Sequence, residues 1–139
     1  MKILDTDMLT YLFEGHQRTV ERFGQETEQV ATTIISCIEV LQGRFTMLLK
    51  APDGQHLRRA QRLLEQALEH LEEIHNTVPI DDAAADQFDR LRQNKKLKKI
   101  GSADMLIAAI TLANRATLVT RNLKDFRLVP RLQVENWAD

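Results

Sequence analysis

The chain has 139 residues, 43% of them hydrophobic and 28% charged, with a formal net charge of −1. At that length roughly two-thirds of the unfolded surface can leave water on folding, so a core needs neither a structural metal nor a disulfide, and the single cysteine, Cys37, has no internal partner. The near-zero charge excludes a protein that grips nucleic acid by blanket electrostatics, since such domains usually have a pI above ~9; any nucleic-acid contact has to be local or assisted by metal.

The amino-terminal MKILDTDMLTYLF carries an acid inside its apolar stretch, where a secretion signal needs an unbroken one. No apolar run approaches the ~20 residues of a membrane helix. The chain therefore reads as one cytoplasmic domain over residues 1–139, with no membrane segment. In chain order, a short apolar strand is expected at Lys2 to Leu4 and a second at Val30 to Ile34, followed by a helix whose start fits a capping box in Ser36-Cys37-Ile38-Glu39. The segment Arg44 to Arg59 reads as a helix with a loop at Pro52-Asp53-Gly54. From Leu57, the residues Ala60, Leu64, Ala67, Leu71 and Ile74 recur at steps of three and four and form one helical stripe. A third strand is expected at Val78 to Ile80. A helix capped by Asp81 or Asp82 then carries Ala83, Ala84, Phe88 and Leu91. After the basic run Asn94-Lys95-Lys96-Leu97-Lys98-Lys99, a helix following Ser102 is apolar nearly all round and hence buried. A fourth strand is expected at Thr117 to Thr120.

Strands alternating with helices, and strands too uniformly apolar to be half exposed, indicate an α/β fold with a parallel sheet covered on both faces. In such sheets ligands gather beyond the carboxyl ends of the strands, where strand order reverses. Acids lie at those places. Asp5 follows the first strand, with Asp7 two residues on; Glu39 is expected in the first turn of the helix after the second strand; Asp104 opens the apolar helix; Asn122 and Asp125 follow the fourth strand. Taken singly, most are more readily read as helix caps, which the helix dipole favours. Asp5 differs, because a carboxylate ending an apolar central strand is costly to desolvate without a cation or donors. Several carboxylates brought together repel one another, and a hard divalent ion, Mg²⁺ or Mn²⁺, is the natural partner for such oxygen ligands.

At these residues the sequence resembles the PIN domain family, and within it the VapC-type toxin ribonucleases of toxin-antitoxin pairs. The resemblance is carried by Met1 to Leu12 (MKILDTDMLTYL), Ile34 to Gly43 (IISCIEVLQG), Ile100 to Ala109 (IGSADMLIAA) and Leu118 to Phe126 (LVTRNLKDF), with LQVENW at Leu132 to Trp137 resembling the family's last strand. It implies a three-layer fold with a central, mostly parallel sheet of about five strands flanked by helices. It implies that Asp5, Glu39 and Asp104 are the catalytic acids, with Asp5 and Asp104 holding the metal and Glu39 positioning or deprotonating water. Asn122 falls where many members have a fourth acid, Thr120 matches a hydroxyl position beside the site, and Asp125 is a candidate for the missing acid. The reaction implied is metal-dependent hydrolysis of RNA. The partners implied are a small antitoxin protein and a second copy of the chain.

The basic run places Lys95, Lys96, Lys98 and Lys99 ahead of the Asp104 motif as candidate phosphate contacts, with Arg121, Lys124 and Arg44 as further ones; a solvated loop explains the run about as well. His16, His56, His70 and His75 show no ligand spacing for zinc. Cys37 reads as a small core residue. Phe13 is expected in the core, Phe45, Leu48 and Leu49 at a dimer face or a groove for an antitoxin helix, and Trp137 at the core edge. Two other functions stay open. Asp5-Thr6-Asp7 resembles the opening motif of haloacid-dehalogenase-type phosphatases, with Asp5 as nucleophile, although Thr120 follows Asp104 where that family needs its threonine first and no lysine motif lies between them. A non-catalytic module keeping the fold without the chemistry is the other.

Overall fold

The computed structural model describes residues 1–74 and 76–139, so His75 lies outside the described residues. The elements in chain order are β1 (Lys2–Leu4), α1 (Thr6–Phe13), α2 (Gln17–Gln25), β2 (Val30–Thr33), α3 (Ile34–Lys50), α4 (Gly54–Ile74), β3 (Thr77–Val78), α5 (Asp82–Gln93), a single 3₁₀ turn at Lys95–Leu97, α6 (Ser102–Ala113), β4 (Thr117–Val119), α7 (Leu123–Phe126) and β5 (Gln133–Glu135). The five strands form one sheet in the order β3-β2-β1-β4-β5, and every pairing is parallel. The expected mostly parallel sheet is thus wholly parallel. The chain moves one way from β1 to β2 and β3 and the other way to β4 and β5, so strand order reverses between β1 and β4, with β1 at the centre.

Alternation along the strands divides the apolar residues between two cores. Ile3 and Leu118 join Ala31, Val78 and the buried faces of α5 and α6 on one side. Leu4 and Val119, their immediate neighbours, join Met8, Leu9, Val40 and Ala67 from α1, α3 and α4 on the other. This is the three-layer arrangement the resemblance implied. Ile107, Ala108 and Ile110 of α6 are wholly buried, in keeping with an apolar helix that packs nearly all round. No helix among the described residues is long and apolar enough to cross a membrane.

Several boundaries differ from expectation. β2 ends at Thr33 rather than Ile34, and Thr33, not Ser36, caps α3: its hydroxyl accepts from the Ser36 N–H at 3.1 Å. Helix α3 therefore begins earlier, and Glu39 lies in its second turn. β3 is Thr77–Val78, because Pro79 has no N–H to continue the ladder. Thr120 lies one residue beyond β4, and the last strand is shorter than LQVENW. Asp81 is the cap of α5, accepting from the Ala84 N–H at 2.9 Å. The loop between α3 and α4 falls at Ala51-Pro52-Asp53, within a residue of the expected place. Helix α2 occupies a stretch to which the apolar pattern assigned no element; it is polar overall, and its buried contact is Thr19 beneath the His16 cap. Trp137, expected at the core edge, is 0% exposed within the second core, its Nε1–H donating to Glu135 at 3.0 Å. Cys37 is buried as expected. Phe13 packs against the second core with its ring stacked on His70.

Candidate active site

Asp5 is the first residue beyond the central strand. Its backbone N–H still donates to Val119 O at 3.0 Å, a sheet-like bond that fixes it beside the end of β4, and its Oδ1 accepts from the Met8 N–H at 2.8 Å as the N-cap of α1. The capping explanation is therefore correct for Asp5, and incomplete. The residue is 6% exposed, and burial raises its carboxyl pKa to about 6, with the charges of Asp7 and Asp104 pushing the same way, against the hydrogen bonds from the Thr120 hydroxyl and the Met8 N–H. Thr120 is itself wholly buried, and its Oγ1 accepts from the Asn122 N–H at 3.0 Å. Both strands flanking the reversal point thus end in residues that face one another.

Asp104, in the first turn of α6, is half-buried. Burial raises its pKa first, and then the charges of Glu39, Asp7 and Asp125 do so. Four elements therefore bring Asp5, Asp7, Glu39, Asp104 and Asp125 within electrostatic reach of one another. Among the described residues no lysine, arginine or histidine makes an ion pair with any of the five. Nor do three of them stand close enough together to ligate one ion as they are placed. The hydrogen bonds explain the spread: Asp5 is turned to its helix cap, and Glu39 Oε1 accepts from the Thr6 hydroxyl at 2.5 Å.

Thr6 was not among the expected site residues. Its oxygen also lies 3.1 Å from Ser36 Oγ, which lies 3.3 Å from Thr33 Oγ1. A hydroxyl has one proton, and the shortest contact takes that of Thr6. The chain of donors then runs Thr33 to Ser36 to Thr6 to Glu39, from the end of β2 to the carboxylate. The signal in the sequence was adjacency to Asp5 and nothing more.

Asn122 caps α7, and its Nδ2 donates to Asp125 Oδ2 at 3.0 Å, so these two act as one unit at the rim. Arg121 is exposed and engaged: its Nη1 donates to Tyr11 Oη at 2.9 Å and its Nε to Asp139 at 3.3 Å. Lys124, Lys95, Lys96, Lys98 and Lys99 are exposed, while Leu97 between them is buried and anchors the 3₁₀ turn. Arg44 is turned away into the layer of α1, α3 and α4, with Nη2 3.9 Å from Glu14 and Nε buried without a partner. His16 caps α2, His56 pairs with Asp53, and His70 stacks on Phe13.

The PIN domain family matches residues 2–132. The chain belongs to that family. Ribonuclease VapC2 of Rickettsia felis is 53% identical over 38 residues, which are 27% of this chain and 28% of that protein. Ribonuclease VapC1 of Haemophilus influenzae strain R2866 is 25% identical over 139 residues, spanning 98% of this chain and 97% of the relative. The crystal structure of VapBC2 from Rickettsia felis bound to a DNA fragment from their promoter superposes with a TM-score of 0.77 at 25% identity, covering 98% of both chains. The donor set this PIN domain assembles consists of carboxylate, amide and hydroxyl oxygens on mutually repelling supports, which fits a hard divalent cation and is a poor match for zinc.

Proposed function

We propose that the protein is a metal-dependent endoribonuclease acting as the toxin of a toxin-antitoxin pair in the cytoplasm. The observation that carries this reading is the gathering of Asp5, Glu39 and Asp104 at the reversal point of a PIN-family sheet, where among the described residues no basic side chain is paired to them. Asp5 and Asp104 would hold the Mg²⁺ or Mn²⁺ ion, with Asn122 and Asp125 as supporting residues. When bound, the ion supplies Lewis acidity toward the scissile phosphate and a lowered pKa for water.

The remaining steps fall to the chain. Glu39, held by Thr6, orients water and accepts its proton as a new P–O bond forms and the P–O bond to the leaving ribose oxygen breaks, that oxygen taking a proton from solvent water. The Thr120 hydroxyl bonds the Asp5 carboxylate and holds it in place. Lys124 and the lysines from Lys95 to Lys99 lie free to meet phosphates away from the scissile bond. A small antitoxin and a second copy of the chain are the proposed protein partners; exposed Phe45 and Leu49, one turn apart on α3, support an apolar contact there.

The deciding experiment is Asp104→Asn. The variant should fold like the parent, lose Mg²⁺-dependent RNA cleavage and no longer arrest growth when expressed without an antitoxin. Retained cleavage by the purified variant would refute the assignment.

A further inference from the structure

At the opposite end of the sheet from the acids, a cleft of about 510 Å³ is lined by Arg90, Arg115 and Arg131 together with the carboxamides Gln87, Asn94 and Gln133. Its lining includes Leu91 and Leu112 and, among the described residues, no acid. Among the described residues none of the three arginines has a carboxylate within ion-pair distance.

Two of those arginines stand where the backbone asks for glycine. Arg115 has φ +52° and Arg131 has φ +67°, and among the described residues no other residue except Gly15 has a positive φ. Arg115 closes α6 in a Schellman motif: its N–H donates to Leu112 O at 3.0 Å and the Ala116 N–H to Thr111 O at 3.1 Å. Helix α1 ends in the same motif, with bonds from Gly15 to Leu12 and from His16 to Tyr11, and there the left-handed position is filled by Gly15. Arg131 follows Pro130 in a turn closed by the Leu132 N–H on Val129 O at 3.3 Å, again the position glycine fills at no steric cost. The chain thus accepts strain twice to set a guanidinium into one cleft.

We propose that this cleft is a binding site for the phosphodiester backbone of RNA outside the scissile bond, an inference that rests on the ribonuclease reading above. Guanidinium forks clamp phosphate in bidentate fashion and stack on bases, and carboxamides meet base edges. That mixture beside apolar side chains suits nucleotides better than an acidic peptide, which needs cations alone. Helix α6 links the two places, with Asp104 in its first turn and Arg115 at its close. Asn94 also lines a neighbouring depression with Arg92, Lys98 and Ser102, and Ser102 lies two residues before Asp104. From Asp104 to Arg115 along α6 is ~16 Å at 1.5 Å per residue, about five stacked nucleotides at 3.4 Å each.

The test uses the full chain in EDTA, titrated with a short fluorescein-labelled 2′-O-methyl RNA that is not cut, and follows anisotropy against salt. R115G/R131G relieves both strained turns, so its melting temperature should equal or exceed the parent's while RNA affinity falls roughly tenfold. The slope of log K against log salt should shrink by about 0.7 for each phosphate no longer neutralised, and by about 2 when R90Q is added. R90Q alone, which disturbs no turn, gives the same reading if the double variant does not fold. Unchanged affinity and slope in a folded variant overturn the proposal. So does retained RNA binding with loss of binding to a polyglutamate peptide, which would give the cleft to an acidic protein segment. Failure of the ribonuclease reading shows separately, as RNA left uncut by the parent protein in Mg²⁺.

Discussion

Asp5→Asn should make the metal-free protein more stable while destroying its activity. The Asp5 carboxyl lies 6% exposed with a pKa of about 6 in place of 3.8. At roughly 1.4 kcal/mol per tenfold, holding it charged destabilises the fold by about 3 kcal/mol. The sign follows from which state binds the proton. Below about pH 4 the carboxyl is protonated folded and unfolded, and contributes nothing. Between about 4 and 6 the folded state keeps a proton the unfolded state has released, so stability falls as pH rises. Above about 6 the full penalty stands. Asparagine removes the charge, keeps the acceptor for the Met8 N–H, and can donate to Thr120 Oγ1. In EDTA at pH 7.5 the variant should therefore melt about 10 °C above the parent for a domain of this size. The difference should vanish toward pH 4, where unrelated carboxyls cancel between the two proteins. Mn²⁺ should raise the melting temperature of the parent and leave that of the variant nearly unmoved. A variant no more stable than the parent at pH 7.5, or a difference independent of pH, would refute the claim that Asp5 is held charged against its surroundings.

Two further substitutions separate the site from its scaffold. Thr6→Val keeps the side chain's shape and removes the proton given to Glu39; cleavage should slow about 10- to 100-fold, as for other groups that orient an active carboxylate, with a melting temperature within about 2 °C of the parent by calorimetry. Trp137→Ala empties a wholly buried site in the second core and removes the bond to Glu135. It should cost about 3–5 kcal/mol in urea unfolding, whereas a loss below about 1 kcal/mol would mean that the tail is not packed as described.

The parts of the molecule that sequence reads well are those where one residue type has one physical use. Ile3-Leu4 and Leu118-Val119 can be so apolar only inside a covered sheet, and Asp5 behind such a strand demands an explanation wherever it lies. Reading failed where several residues compete for one role. Thr32, Thr33 and Ser36 can each begin a helix after a strand; the ladder of β2 against β1, with Thr32 Oγ1 donating to Leu4 O at 3.1 Å, ties up the first and leaves Thr33 as the cap. The tie from Thr6 to Glu39 spans 33 positions and exists only because α1 and α3 pack side by side. Arg44 looked like a phosphate contact from its charge, and helix phase turned it inward. Arg115 and Arg131 were invisible for a different reason. A left-handed turn is normally announced by glycine, and here the announcing residue has been replaced by the functional one.

The net charge of −1 is then a sum over two ends that do different things. The carboxyl edge of the sheet holds Asp5, Asp7, Glu39, Asp104 and Asp125, where burial first and the neighbouring carboxylates second raise the pKa values of Asp5 and Asp104. An RNA approaching that edge without metal meets like charge. The opposite end offers three guanidiniums without an ion-pair partner among the described residues, and the exposed lysines from Lys95 to Lys99 stand between the two. Within a Debye length of about 8 Å at physiological salt, each end is felt separately, so the small total neither attracts nor repels the polymer as a whole. Binding free of metal should therefore be governed by the arginine end and strongly weakened by salt, while cleavage should depend on the ion that neutralises the acidic end. A blanket basic surface would couple the two dependences; this distribution of charge separates them.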